Sequence, residues 1–399
     1  MRRYRAFLTI FLLLICVLQA TSCIKQIPVN DTTTTTHAGE LPTGPSGDDV
    51  PSTPPPALQL PFWTGAEETA DLFLHTPTAI VDCTAREYSY AEMVEDLQTL
   101  KNVYPKHFDY RTFGHSAAGR ELYVATLGNP DAEKQFLVSA GIHGREYLTP
   151  LLVMKQIEFY LAYYDEGDYN GFAYADLFEE FCFYIVPMTN PDGIMLAQEG
   201  IYSISDAEMR QRIIDTYYKD YAEKYTQQTN INEYLKIWKS NANAVDLNRN
   251  FDALWQYVDT GMYRPSHKLY KGEAVASEPE TQAMVELTES IPSIQAVLCI
   301  HSQGEVLYWD CGQTGTLREE TQTFTEAIGM SNGYRVIYEQ NNDASYSDWC
   351  AMKKGLIAVT VETGLMNEAG PLPISQFPTI WMDNFDLFAL SAAHFAAGK

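Results

Sequence analysis

His143 and Glu146 lie three residues apart in "GIHGREYLTP", directly after the apolar run "QFLVSA". An imidazole and a carboxylate at that spacing can reach one metal ion from a single turn, and a hydrolytic zinc site takes three protein ligands and keeps a fourth position for water. The third ligand must come from elsewhere in the chain. His301, which opens "HSQG" after "AVLCI", is the natural candidate. A His-x-x-Glu pair alone is a common coincidence, and a lone loop histidine is more often a surface residue than a ligand. The setting separates this pair from chance. His143 follows "FLVSAGI", Asn190 follows "FYIVPMT", His301 follows "AVLCI" and Glu362 follows "IAVTV", so four polar residues fall at or just past the ends of four strand-like runs. In open α/β sheets that edge is where ligands bind. The other six histidines (His37, His75, His107, His115, His267 and His394) lack this setting and are read as non-ligands.

Those strand ends imply the elements that carry them. From about residue 88 onward, helix-spaced and β-rich segments alternate. "YAEMVEDLQTLKNVY" and "PLLVMKQIEFYLAYY" have helical spacing, whereas "ELYVATLG", "QFLVSAG", "FCFYIVP", "AVLCI" and "LIAVTVETG" are strand-like. One long helix is expected over about 205–240 and another over "IWMDNFDLFALSAAHFA". Ser277 and Glu280 have the spacing of a capping box at the start of a further helix. Alternation of this kind predicts an α/β fold, a mixed, mostly parallel sheet with helices on both faces.

Composition bounds the partners. The chain has 399 residues, 46% of them apolar, and a formal charge of −25, which excludes unaided binding to nucleic acid or anionic lipid. Residues 1–22 read as an export signal: basic "MRRYR", the apolar core "AFLTIFLLLICVL", then small residues before Cys23. "ATSC" resembles a bacterial lipobox, so the expected location is extracytoplasmic, with membrane attachment through a lipid on Cys23 and plain secretion as the alternative. Residues 23–60 are a Thr/Pro/Gly-rich tether and residues 61–87 an N-terminal extension. Cys83, Cys182, Cys299, Cys311 and Cys350 remain beyond Cys23, an odd number, and one disulfide, such as Cys311 with Cys350, is left open.

Five motifs in order, "GIHGREYLTP", "NPDG" at 190–193, "VDLNRNF" at 245–251, "HSQG" at 301–304 and "VTVETG" at 359–364, resemble the zinc carboxypeptidase family, the carboxypeptidase A-like metallopeptidases. The resemblance covers about residues 88–399 and implies a carboxypeptidase-like single catalytic domain. It implies one Zn²⁺ held by His143, Glu146 and His301, with Asp246 accepting a hydrogen bond from the far nitrogen of His143. It makes Glu362 the general base and assigns Asn248 and Arg249 to the substrate's terminal carboxylate, a task suited to a guanidinium fork.

Three positions depart from the digestive enzymes of the family. Lys239 in "IWKSNANAVDLNRN" stands in for their oxyanion-stabilising arginine. Their mobile-loop tyrosine has no gap-free equivalent, Gln340 taking its place, and Tyr338 and Tyr346 are the stand-ins. Ser347 occupies the floor of the side-chain pocket, and being small and polar it disfavours selection by strong opposite charge. "WKSNANAVDLNRNF" and "SYSDW" look closer to the bacterial branch that cleaves γ-D-glutamyl-diaminopimelate bonds in cell-wall peptides. The expected substrate is therefore a peptide or muropeptide. Alternatives are a general C-terminal carboxypeptidase, a catalytically silent cell-wall-binding lipoprotein, or a zinc amidohydrolase acting on N-acyl amino acids. Oligomeric state is not legible in the chain.

Overall fold

Runs of alternating β-branched and aromatic residues build an eight-stranded mixed sheet in a computed structural model that describes residues 76–84, 87–340, 342–366 and 370–397. The export segment, the tether, most of the extension, His37 and His75 lie outside the described residues. The strands are β1 (Phe108–His115), β2 (Glu121–Gly128), β3 (Lys134–Ala140), β4 (Phe181–Val186), β5 (Ile294–His301), β6 (Val306–Tyr308), β7 (Arg335–Val336) and β8 (Ile357–Glu362), in spatial order β1-β2-β4-β3-β5-β8-β6-β7. The centre, β4-β3-β5-β8, is parallel throughout, and the antiparallel pairs β1/β2, β2/β4 and β8/β6 flank it.

Successive side chains of the central strands divide between two cores. Phe136 and Val138 of β3, Leu298 and Ile300 of β5, and Val359 and Val361 of β8 join one cluster. Leu137, Val297, Cys299 and Ala358, their neighbours one residue away, join the other. That period of two is what a sheet covered on both faces requires. The helices are α1 (Tyr90–Val103), α2 (Leu148–Ala162), α3 (Tyr174–Glu180), α4 (Pro191–Glu199), α5 (Ala207–Ala222), α6 (Ile231–Lys236), α7 (Pro279–Ser290), α8 (Gly315–Asn332), α9 (Tyr346–Lys354), α10 (Phe377–Asn384) and α11 (Leu387–Ala397). Among the described residues, no helix is long and apolar enough to cross a membrane, and the five described cysteines, Cys311 and Cys350 included, are free.

Three local expectations are corrected. The stretch 205–240 forms two helices, because the polar segment between them turns at Lys224 (φ 65°) and Asn230 caps α6 by accepting the Glu233 N–H. The C-terminal helix is likewise split between α10 and α11. Gln156 and Tyr160 of α2 donate to the carbonyls of Asn384 and Phe385 at 2.6 and 2.8 Å, taking acceptors a continuous helix would use itself. The Ser277–Glu280 capping box does not form. Glu278 occupies the N-cap position without a side-chain cap bond, while Glu280 turns inward to accept from Ala117 N and Asn241 Nδ2, at 2.9 and 3.1 Å. Burial there pushes the Glu280 carboxyl up to about 8.

Glu158, buried on α2, ties residues 76–81 to the domain. Its carboxylate accepts from Thr76 Oγ1, Thr78 Oγ1, Ile80 N, Val81 N and Lys155 Nζ, all within 3.1 Å. Glu158→Ala therefore leaves a buried lysine unpaired and is expected to cost about 3–5 kcal/mol, the usual cost of breaking a buried pair. Urea denaturation measures the loss, and limited proteolysis is expected to cut near residue 80 first. An unchanged midpoint would show that this network carries no stability.

Candidate active site

The parallel strands β3, β5 and β8 deliver their last residues to one edge. Glu362 pairs in register with His301, and Ala140 with Ile300, so the turn after β3 emerges beside both. That turn is held by backbone bonds from Gly144 N to Lys239 O (3.2 Å) and from Arg145 N to Trp238 O (2.7 Å). A Cβ on Gly144 would fall 2.3 Å from the Gly193 carbonyl, so only glycine permits this approach. Asn190, singled out in the sequence, is a staple. Its Nδ2 donates to the carbonyls of Ile142, Lys239 and Ser240, and its Oδ1 caps α4 by accepting from Gly193 N. It locks the His143 turn to the loop carrying Lys239.

The three expected ligands are buried together, their donor atoms all within 4.8 Å of one another. Glu146 lies between two imidazoles, Oε1 2.8 Å from His143 Nδ1 and Oε2 3.1 Å from His301 Nδ1. The Nε2 of His143 is 3.2 Å from Asp246 Oδ1, which leaves Nδ1 for the metal side, and Asp246 Oδ2 accepts from Leu269 N at 2.9 Å. Two imidazole nitrogens and one carboxylate, with a carboxylate fixing one imidazole from behind, are the donor set of a hydrolytic zinc site. Burial opposes ionisation of Glu146, but the His143 and Lys239 charges and hydrogen bonds outweigh it and hold its carboxyl well below the usual range. Asp246 is held low in the same sense, burial being overcome by His143.

Beside the triad a cleft of about 210 Å³ opens, lined by Lys239, Asn248, Arg249 and Glu362 as well as His143 and His301. Lys239 Nζ stands 3.0 Å from Glu146 Oε1, so this lysine does reach the site. Arg249 follows Asp246 on a 3₁₀ turn, donates to Asn248 O at 2.8 Å, and pairs with Asp343 at 3.1 Å. Burial pushes the Glu362 carboxyl up from its ordinary value, against the pull of His301 and with the push of Glu146.

The substrate side departs from expectation in two respects. Tyr346 does not line the cleft: it is 1% exposed, its hydroxyl bonds Thr288 at 2.7 Å, and its ring packs on Phe251 and Trp349. Tyr338 points to Glu326 and also stays out. The tyrosine that does line the cleft is Tyr308, on the three-residue strand β6 opposite Thr360 of β8. Ser347 is in the wall as expected, bonded to Ser345 and Thr360. The wall around it, however, carries Asp310, Glu339 and Asp343, so the pocket is far more acidic than Ser347 alone suggests.

Comparison with known proteins bears on the family and the fold. The family profile described as zinc carboxypeptidase matches residues 93–387. The chain is 30% identical over 305 residues to gamma-D-glutamyl-L-diamino acid endopeptidase 1 of Lysinibacillus sphaericus, covering 76% of this chain and 72% of that one. Among solved structures, thrombin activatable fibrinolysis inhibitor superposes with a TM-score of 0.63 at 19% identity, covering 82% of this chain and 81% of that one. Carboxypeptidase A from Helicoverpa armigera gives a TM-score of 0.58 at 17% identity, covering 83% and 82%. At these identities the structures establish the shared fold.

Proposed function

The chain belongs to the zinc carboxypeptidase family of metallopeptidases, and from that premise we propose that it hydrolyses the amide bond next to a carboxylate-bearing residue, preferring γ-D-glutamyl-diamino acid bonds of cell-wall peptides. The observation that carries the reading is the charge layout of one cleft: the His143–Glu146–His301 triad with Glu362, the cations Arg249 and Lys239, and an acidic wall of Asp310, Glu339 and Asp343. Zn²⁺, when bound by the triad, supplies Lewis acidity toward the scissile carbonyl and lowers the pKa of water. Glu362 takes a proton from the attacking water as the carbon–oxygen bond forms, and returns it to the nitrogen as the carbon–nitrogen bond breaks. Lys239 supplies positive charge toward the oxyanion, and Arg249 with Asn248 holds the substrate carboxylate.

A diamino acid carries an ammonium group as well as a carboxylate. A pocket that sets Glu339 beside Asp310, paired with Arg318 at 2.8 Å, and Asp343, paired with Arg249 at 3.1 Å, offers an acceptor for the ammonium as well as a cation for the carboxylate. The name of the Lysinibacillus relative points to the same bond. Export through residues 1–22 and a lipid on Cys23 would place the enzyme beside that substrate.

Purified zinc-loaded protein, incubated with defined muropeptides and with ordinary peptides and followed by mass spectrometry, tests the reading. Release of the diamino acid portion from γ-D-glutamyl substrates is expected. Trimming of ordinary peptides alone would favour a general C-terminal carboxypeptidase, and hydrolysis of neither would favour a silent wall-binding protein. Arg249→Ala is expected to lower kcat/KM on substrates with a free carboxylate by about 2–5 kcal/mol, roughly 30-fold to a few thousandfold. Equal losses on a substrate lacking that carboxylate would remove Arg249 from this role.

A further inference from the structure

A second concavity of about 200 Å³, close to the 210 Å³ of the catalytic cleft, opens between α5 and residues 242–244 and shares no lining residue with that cleft. Its charged lining is Arg212, Lys219 and Arg264 against a single carboxylate, Asp215. That inverts the balance of a chain with 52 acidic and 27 basic residues. Asp215 is engaged by Gln211 at 2.9 Å, and Arg264 is committed to Asp220 and Glu223 at 2.6 and 2.7 Å. Arg212 and Lys219, seven residues apart and so on one stripe of α5, make no ion pair among the described residues. Two exposed cations with no ion-pair partner among the described residues, converging on one cavity in a protein with surplus carboxylates, can receive an anion from outside.

We infer that this pocket is an oxyanion site, taking a carboxylate or phosphate group whose short apolar portion lies against Ile213, Ala244 and Pro265. A guanidinium and an ammonium on one wall suit such a group through charge-assisted hydrogen bonds. The facing wall is a rigid turn. Asn241 Oδ1 accepts from the N–H groups of Asn243 and Val245 at 3.0 and 3.2 Å, and Ala244 exchanges backbone bonds with Asn241 and Ser266. The amides of Ala242, Asn243 and Ala244 therefore report on the pocket, while those of Asn248 and Arg249 report on the cleft.

Inorganic phosphate and succinate, titrated separately into the zinc-loaded full chain, are followed by amide NMR. Saturable shifts at Ala242–Ala244 are expected, with R212E/K219E raising that dissociation constant at least about tenfold and leaving shifts near Asn248 and Arg249 unchanged. R212Q/K219Q, which removes charge without adding any, is expected to move in the same direction. The stronger of the two probes identifies the group the site takes. Absence of saturable shifts at 242–244, or an unaltered dissociation constant in both variants, overturns the site.

Discussion

Glu362→Gln is expected to lower kcat by about 10²–10⁴-fold, the contribution of a positioned proton-transfer group, with bound zinc unchanged. Glutamine keeps the shape of the side chain and an acceptor oxygen, so cleft geometry survives. It cannot accept a proton. Glu362 is the last residue of β8, in register with His301 and lining the cleft, yet it is not one of the three clustered donors, so zinc content should stay at one per chain. Elemental analysis together with turnover on one cleaved substrate decides the matter: full activity in the variant refutes the proton-transfer role. The metal-free protein adds a stability test. Its folded state holds the Glu362 proton more tightly than the unfolded chain does, chiefly through burial. Stability therefore falls as pH rises through the window between the ordinary carboxylate value and the raised one. The glutamine variant lacks that loss, so its metal-free form should melt higher than the parent's at neutral pH. The two should converge in acid.

Residues placed by strand ends were legible in the sequence, because a polar group after a four- to six-residue apolar run has one edge to occupy in a parallel sheet. His143, His301 and Glu362 are of this kind, and the register of β3, β5 and β8 brings them together. Residues placed by loops were not. Tyr346 and Tyr338 were chosen by position along the chain, but capping decides the local path. Ser345 and Asp348 form a capping box that starts α9 at Tyr346 and turns that ring into the core. Tyr308 was missed because β6 is only three residues long, too short to show a period. The acidic wall was missed because Asp310 comes from the loop after β6 whereas Glu339 and Asp343 come from the loop after β7, and nothing local in the chain joins the two loops. The break between α10 and α11 was missed for a related reason. Tyr160 and Gln156 capture carbonyls more than 200 residues away in the chain, and no local pattern encodes that. The Glu280 capping box was locally sound but lost to Ala117 and Asn241, two partners supplied by tertiary structure.

Removing zinc and removing Glu146 should both abolish hydrolysis, yet destabilise the protein by different routes. A chelator leaves the buried carboxylate with partners already in place, the Lys239 ammonium at 3.0 Å and the two imidazole nitrogens at 2.8 and 3.1 Å. The metal-free protein should therefore stay folded and lose only the linkage contribution of the ion, about 4 kcal/mol where free zinc was a thousandfold above its dissociation constant. Because Glu146 is held low in that form, its stabilising contribution is present above the ordinary carboxylate range and lost as pH falls through the depressed value. Glu146→Ala instead strands a lysine and two buried histidines around a missing partner, at a cost of about 3–5 kcal/mol that added zinc cannot restore. Thermal melts read the difference. Zinc added back to chelated parent protein should raise the midpoint and recover turnover, whereas Glu146→Ala should respond in neither. A variant that regains both on adding zinc would mean the ion sits elsewhere, and the pairing of Glu146 with His143 and His301 would then be a structural ion-pair network rather than a metal centre.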